Sequence, residues 1–275
     1  MKNFFYAIVS MLITSSMSYA KPGDVESFYF AITGDPQPYR ILHSSDSYDT
    51  NSRDNKTTWE SYVTKGYQNL RQYNPDFLMI NGDMTDFGWQ IQREDIQSVI
   101  KNNSDIKTYY GLGNHDIHNN VNDCHDNADD FLDWIQSSDS CAFHTSNMLR
   151  KDIVNTFPQY NPGGYFKHNA LGVGDNDKGW GASNAYAFDW GQNLRLIQLN
   201  LHPAYEVHLG APGGAFNVAW TSALPFLEQE LKQAQKDNRF VVIGWHEADE
   251  TNSFDLTKPE ENWTDYERQA QKIIK

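Results

Sequence analysis

Positive charge is scarce in this chain. Its 275 residues carry 22 lysines and arginines against 36 aspartates and glutamates, a formal net charge of −14. A nucleic-acid binder needs a broad basic face, so nucleic acid is not the expected partner. A locally cation-rich site could still attract a phosphate group. Cysteine is nearly absent too, with only Cys124 and Cys141. Two cysteines so far apart do not make a zinc-thiolate site. In an exported chain an even count points to a disulfide. Internal repeats and low-complexity tracts are missing. So is any apolar run long enough to give a stable membrane span.

The longest apolar stretch, Phe4 to Ile13, is too short to cross a bilayer comfortably. It follows Lys2 and precedes the small-x-small exit Ser18-Tyr19-Ala20. That order reads as a signal peptide over residues 1–20, with the mature chain beginning at Lys21. The expected location is therefore periplasmic or secreted.

Aromatic residues are plentiful at 14%, enough for a substantial core and against disorder. Residues 21–275 read as a single domain. Phe28 to Ile32 is a short buried strand, and Trp59, Tyr62, Val63, Tyr67 and Leu70 recur at helical spacing. Phe77 to Ile80 is a second strand, Ile96, Val99 and Ile100 mark a second helix, and Tyr109-Tyr110 belong to a third strand. This alternation predicts an α/β fold whose parallel sheet carries its site at the strands' C-terminal ends. Residues 117–183 break the pattern and read as an insertion over that site, with a helix-like Phe131 to Ile135 segment and a glycine-rich run from Gly172 to Gly181. Ala185 to Trp190 and Leu194 to Leu201 suit an antiparallel hairpin. Residues 202–219 read as a loop. A helix is expected from Ser222, a strand over Phe240 to Ile243, and a last helix through Trp263, Tyr266, Ala270 and Ile273.

Four turns that follow these apolar runs carry the chemistry: Gly34-Asp35-Pro36-Gln37, Gly82-Asp83-Met84-Thr85-Asp86, Gly113-Asn114-His115-Asp116 and Gly244-Trp245-His246. Hard divalent cations take carboxylate and amide oxygens, and imidazole suits zinc, iron and manganese. Asp35, Asp83, Asn114 and His246 could supply that mixture, with Asp83 bridging two ions from a central strand end. Water held between two cations loses a proton near neutral pH. The cations outweigh the two aspartates and the hydroxide, so the site keeps positive charge for a phosphate. His115, next to a ligand, should point to substrate, with Asp116 holding its other nitrogen so that it can protonate a leaving alkoxide. His118 and His125 read as exposed loop histidines, and the aromatics Tyr165, Phe166, Trp180 and Tyr186 as core.

This set of turns resembles the calcineurin-like metallophosphoesterases over about Ser27 to His246. The resemblance implies an αββα sandwich of two mixed sheets flanked by helices. It implies two divalent metal ions (Mn, Zn, Fe or similar) held by Asp35, Gln37, Asp83, Asn114 and His246. It further implies hydrolysis of a phosphate ester by a metal-bridging hydroxide, with His115 and Asp116 serving the leaving group. Asp86 would stand behind the ligands or cap its turn. The expected substrate is a small phosphate ester or a lipid headgroup.

Two departures stand out. The family usually has His two residues after the first Asp, where this chain has Gln37, whose oxygen can also bind a hard metal. The family's closing Gly-His-x-His is missing after His246, which makes the expected sandwich C-terminally incomplete. That absence supports a second reading: a catalytically impaired remnant or binding module that keeps the fold without a complete dimetal site.

Overall fold

A computed structural model of the chain describes residues 28–42, 48–49, 53–122, 124, 138–170, 181–210 and 217–246. The expected signal peptide, the helix expected over Phe131 to Ile135, His125, most of the glycine-rich run and the expected last helix lie outside the described residues.

The first sheet is built by the strand-helix alternation. Its strands are β1 (Phe30–Thr33), β4 (Phe77–Ile80) and β5 (Thr108–Tyr110), in the order β1-β4-β5 and all parallel. Helices α1 (Lys56–Arg71) and α2 (Gln90–Asn102) make the crossovers. Between β1 and α1, β2 (Ile41–Leu42) and β3 (Tyr48–Asp49) form a small antiparallel ribbon. The register places Thr33 beside Ile80 and Ile80 beside Tyr110. Three strands thus end level, and their loops leave from one edge.

The chain then forms α3 (Ser140–Asn155), α4 (Phe157–Tyr160), β6 (Phe166–Asn169) and β7 (Gly181–Ala182). Next come β8 (Ala185–Trp190), β9 (Leu194–Gln198), β10 (Val207–Gly210), β11 (Asn217–Trp220), α5 (Leu224–Lys236) and β12 (Phe240–Gly244). The second sheet has the order β12-β9-β8-β6 and is mixed: β12 runs parallel to β9, the other pairs antiparallel. The expected hairpin is β8-β9. The segment expected to be an insertion supplies β6 as the outer strand of this sheet, and α3 buries Leu149 and Ile153 completely.

The two sheets meet through aromatic rings. Phe77 packs against Phe188 at 5.6 Å and Trp190 at 4.8 Å, and Tyr109 stacks on Phe188 at 4.0 Å between centroids. The Tyr186 hydroxyl donates to the Tyr110 carbonyl at 2.9 Å, so a buried polar tip crosses between the sheets without losing its hydrogen bond. Strand alternation settles the rest. Tyr186 and Phe188 face the first sheet, while Ala185 and Ala187 turn outward to Phe226 and Leu227 of α5. Helix, sheet, sheet and helix therefore stack as the four expected layers. On the α5 side the fully buried Arg195 pairs with Asp189 at 2.7 Å, Asp237 at 3.1 Å and Glu230 at 3.6 Å, and lies 3.8 Å over the Tyr165 ring. Removing Arg195 would leave the buried Asp189 and Glu230 carboxylates without their buried cation in a dry interior.

One expectation fails. Residues 202–219 are not a loop throughout: β10 and β11 pair antiparallel, and β7 adds to β11 in parallel. Each strand is too short to show alternation, so its pairing partners, not its own pattern, hold it extended. Among the described residues no helix is long and apolar enough to cross a membrane.

Cys124 and Cys141 form the expected disulfide, with Cα atoms 5.7 Å apart across a separation of 17 residues. It ties the loop after β5 to the start of α3. Replacing both by serine is expected to lower unfolding stability by about 3 kcal/mol, the loop-closure entropy returned to the unfolded chain. Urea titration would show this as an earlier midpoint, and an unchanged midpoint would reject it.

Candidate metal centre

The level strand ends bring distant turns into contact. The loop after β1 is laced to the loop after β4: Asp35 N–H donates to Gly82 O at 3.1 Å and Gln37 N–H to Asp83 O at 3.2 Å. Asp35 and Asp83 both take left-handed backbone conformations, φ 59° and 53°. Non-glycine residues adopt that region at a cost of about 1–3 kcal/mol, and such strain gathers at functional sites. Gly82, at φ 117°, leaves no room for a side chain: a Cβ there would lie 2.8 Å from both the Gly113 nitrogen and the His246 Cβ. Three loops and the end of β12 therefore close on one point.

At that point ligand atoms of Asp35, Asp83 and His246 all lie within 4.8 Å of one another. Asp35 sits at the rim, open to solvent on one side, while Asp83 is buried. His246 Nε2 lies 3.2 Å from Asp83 Oδ1 and 3.0 Å from Asn114 Oδ1. The His115 backbone N–H donates to the same Asp83 oxygen at 3.0 Å. Four of the expected ligands, Asp35, Asp83, Asn114 and His246, thus share one cluster.

The electrostatics show acid groups pressed together. Burial raises the Asp35 carboxyl above its usual value; His246 opposes this, and the Asp83 charge reinforces it. Burial would lower the His246 imidazole, yet the hydrogen bond and charge of Asp83, with Asp35 and Asp116, carry it up to about 9. One imidazolium serves several carboxylates. A divalent cation relieves that crowding, and carboxylate, amide and imidazole donors are a set such an ion accepts. The residues fit the group.

Gln37 comes to the site but turns differently from expectation. Its Nε2 donates to Asp83 Oδ2 at 2.9 Å, and its Oε1 accepts from Arg40 Nη1 at 3.1 Å. Reversing the amide would set oxygen against carboxylate and NH2 against guanidinium, so both neighbours select this orientation. The oxygen expected to meet a metal instead faces Arg40, and Gln37 here holds Asp83 in place.

The role expected for Asp116 requires a correction. Asp116 does not hold His115. The side chain is fully buried and accepts from the N–H groups of Met84 at 2.9 Å, Thr85 at 2.7 Å and Gly113 at 2.8 Å, and from the Thr85 hydroxyl at 2.7 Å. The Asp116 N–H bonds back to Gly113 O at 3.3 Å, so the turn folds the carboxylate inward. Its work is to pin the loop after β4 to the loop after β5. Burial and the Asp83 charge raise this carboxyl to about 7 against those donors.

Asp86 takes the place expected for Asp116. Its Oδ1 lies 3.0 Å from His115 Nδ1, and its main-chain oxygen 3.1 Å from the same nitrogen. A carbonyl can only accept, so Nδ1 carries hydrogen and Nε2 is the nitrogen left for chemistry. The hydrogen bond to Asp86 raises the His115 imidazole, burial opposing.

Two residues escaped sequence reasoning. Arg40 reaches His115 Nε2 at 3.2 Å and Asp86 Oδ1 at 3.3 Å. Its one signal was a basic residue close behind an acidic turn in a chain poor in cations. Asn200, at φ 60°, accepts from Leu112 N–H at 3.1 Å through its side chain and from His246 N–H at 2.8 Å through its carbonyl. It joins the ends of β5, β9 and β12, and nothing in its local sequence marks it.

A cluster of carboxylate, imidazole and amide donors at the C-terminal ends of strands, between two packed sheets, defines a metallohydrolase-type centre. The family model for calcineurin-like phosphoesterases matches residues 29–260. The chain belongs to that family of metal-dependent phosphoester hydrolases, which bind divalent metals. Among curated proteins no sequence matches it.

Proposed function

We propose that the protein hydrolyses a phosphate ester using two divalent cations held by Asp35, Asp83, Asn114 and His246. The observation that carries this reading is the convergence of Asp35, Asp83 and His246 within 4.8 Å, with the Asn114 amide oxygen against His246. When bound, such cations supply Lewis acidity and bring the pKa of water toward neutrality. The protein's own groups do the rest. Gln37 and the His115 N–H hold Asp83 in position. Asp86 fixes the His115 tautomer, so that Nε2, once protonated, can deliver a proton to the leaving oxygen. Asp116 keeps two loops in register.

The substrate in this reading is a small phosphate ester or lipid headgroup. Net charge −14 argues against nucleic acid. Residues 21–275 form the catalytic domain, to whose second sheet and core the 117–183 segment contributes, and the protein is exported to the periplasm or outside the cell. The N-terminal pattern and the paired cysteines support export.

Purified protein loaded with manganese or zinc is expected to turn over p-nitrophenyl phosphate or its bis ester, the faster of the two separating monoesterase from diesterase. His115→Asn should lower kcat by about 10²–10⁴-fold while the metal content stays unchanged. Less than one metal per chain (about), with no rate above background, would instead support a binding module that keeps the fold.

A further inference from the structure

Arg40 lies on the loop after β1, and its role is not accounted for by metal binding. Its Nη1 contacts Gln37 Oε1 at 3.1 Å, Asp86 Oδ1 at 3.3 Å and His115 Nε2 at 3.2 Å, with the side chain 27% exposed. We propose that Arg40 binds substrate, gripping a non-bridging oxygen of the phosphoryl group beside His115. This rests on the phosphoesterase reading and names the chemistry recognised: a tetrahedral phosphoryl oxyanion with at least one unesterified oxygen.

The geometry leads there in three steps. His115 Nε2 is the nitrogen that faces substrate, because Nδ1 is committed to the Asp86 carbonyl. An oxygen that comes within hydrogen-bond distance of Nε2 also comes within reach of the guanidinium now touching that nitrogen. The arginine stands ready at the place a phosphoryl oxygen must enter.

Charge points the same way. Asp35, Asp83, Asp86 and Asp116 gather at the centre, and their negative field opposes an incoming oxyanion. A fixed guanidinium there offsets it and supplies a charge-assisted N–H donor suited to a phosphate oxygen. Gln37 and Asp86 already anchor Arg40, so little side-chain freedom remains to be lost on binding. Asp86 contacts both Arg40 and His115, so one carboxylate aligns the phosphate grip with the proton donor.

The test uses the manganese-loaded full chain, with inorganic phosphate as the probe in titration calorimetry. Arg40→Met should weaken phosphate binding about 10–100-fold, as expected for losing a charge-assisted hydrogen bond, with manganese content unchanged. Arg40→Lys should fall between, keeping the charge without the fork. With a turned-over ester, KM should rise by a similar factor and kcat fall less. Phosphate affinity in Arg40→Met equal to that of the unmodified protein overturns the proposal. So does failure of the unmodified protein to bind phosphate, or loss of manganese from the variant, which would make Arg40 a support for Gln37 and Asp83. Should Arg40→Met fail to fold, Arg40→Lys decides, and unchanged affinity there is also fatal. If no ester is turned over but phosphate binding still depends on Arg40, the hydrolase reading fails and the oxyanion site stands.

Discussion

Asp83→Asn is expected to strip the cations from the protein and lower turnover by on the order of 10³-fold or more, the several kcal/mol that charge stabilisation by the metals supplies. Asp83 is the hub of the centre. Its two oxygens meet the Gln37 amide, the His115 N–H and the His246 ring. An amide in its place brings an NH2 group against at least one of those donors and removes the charge that neighbours need. Elemental analysis of the purified variant, with a rate measurement on the same sample, checks the result. A variant that retains its metals would remove Asp83 from the ligand set.

The same hub makes cation binding depend on pH, with a definite sign. His246 is held up to about 9, and its proton must leave before the ring nitrogen can coordinate. Cation affinity should therefore climb between about pH 6.5 and about pH 9, by up to about tenfold per unit. In the cation-free protein the raised His246 favours folding fully below about pH 6.5, and that contribution disappears as pH rises through about 9. The raised Asp35 and Asp116 carboxyls act in the same direction at lower pH, because the folded state holds protons the unfolded state has already released. Added manganese should thus raise the melting temperature more at high pH than at low pH. A shift that shrinks with pH would contradict this account of the site.

Gly113→Ala should be nearly as damaging, for a steric reason. A Cβ at residue 113 would overlap the Asp83 carboxylate and lie 2.6 Å from His246 Cδ2 and 2.7 Å from the Asp83 backbone nitrogen. A backbone atom cannot step aside as the end of a side chain can. Overpacking of this kind costs about 1–3 kcal/mol, and here the displaced groups are two of the proposed cation ligands. Gly66→Ala is the matched control. It lies within α1, nothing stands within 4 Å of the added carbon, and helix propensity predicts a gain of up to about 1 kcal/mol. Thermal melts of both variants, with metal content, separate the site effect from a general response to alanine.

Much of the architecture could be read from local pattern. Phe77 to Ile80 is a continuous apolar run because both faces of β4 are covered, and it leads into the turn Gly82-Asp83. Parallel strands that end level present their following turns together, so the meeting of the Asp35, Asp83 and Asn114 turns could be expected before any coordinates. The disulfide was legible because only two cysteines exist to pair. What local pattern could not supply was direction. Asp116 and Asp86 are both acids close to the proposed catalytic turn, and proximity along the chain favoured Asp116. The backbone turn aims Asp116 into the protein and leaves Asp86 beside the imidazole.

The alternation of the first strands and helices, the choice of candidate cation ligands and the acidic balance all follow from residue type and spacing, since periodicity and donor chemistry are properties of neighbours along the chain. The arrangement of Arg40, Asp86 and His115, the turning of Gln37 toward Asp83, the joint at Asn200 and the extension of β10 and β11 do not. They depend on groups tens of residues apart meeting at bond distance, and only the packing of two sheets brings those groups together.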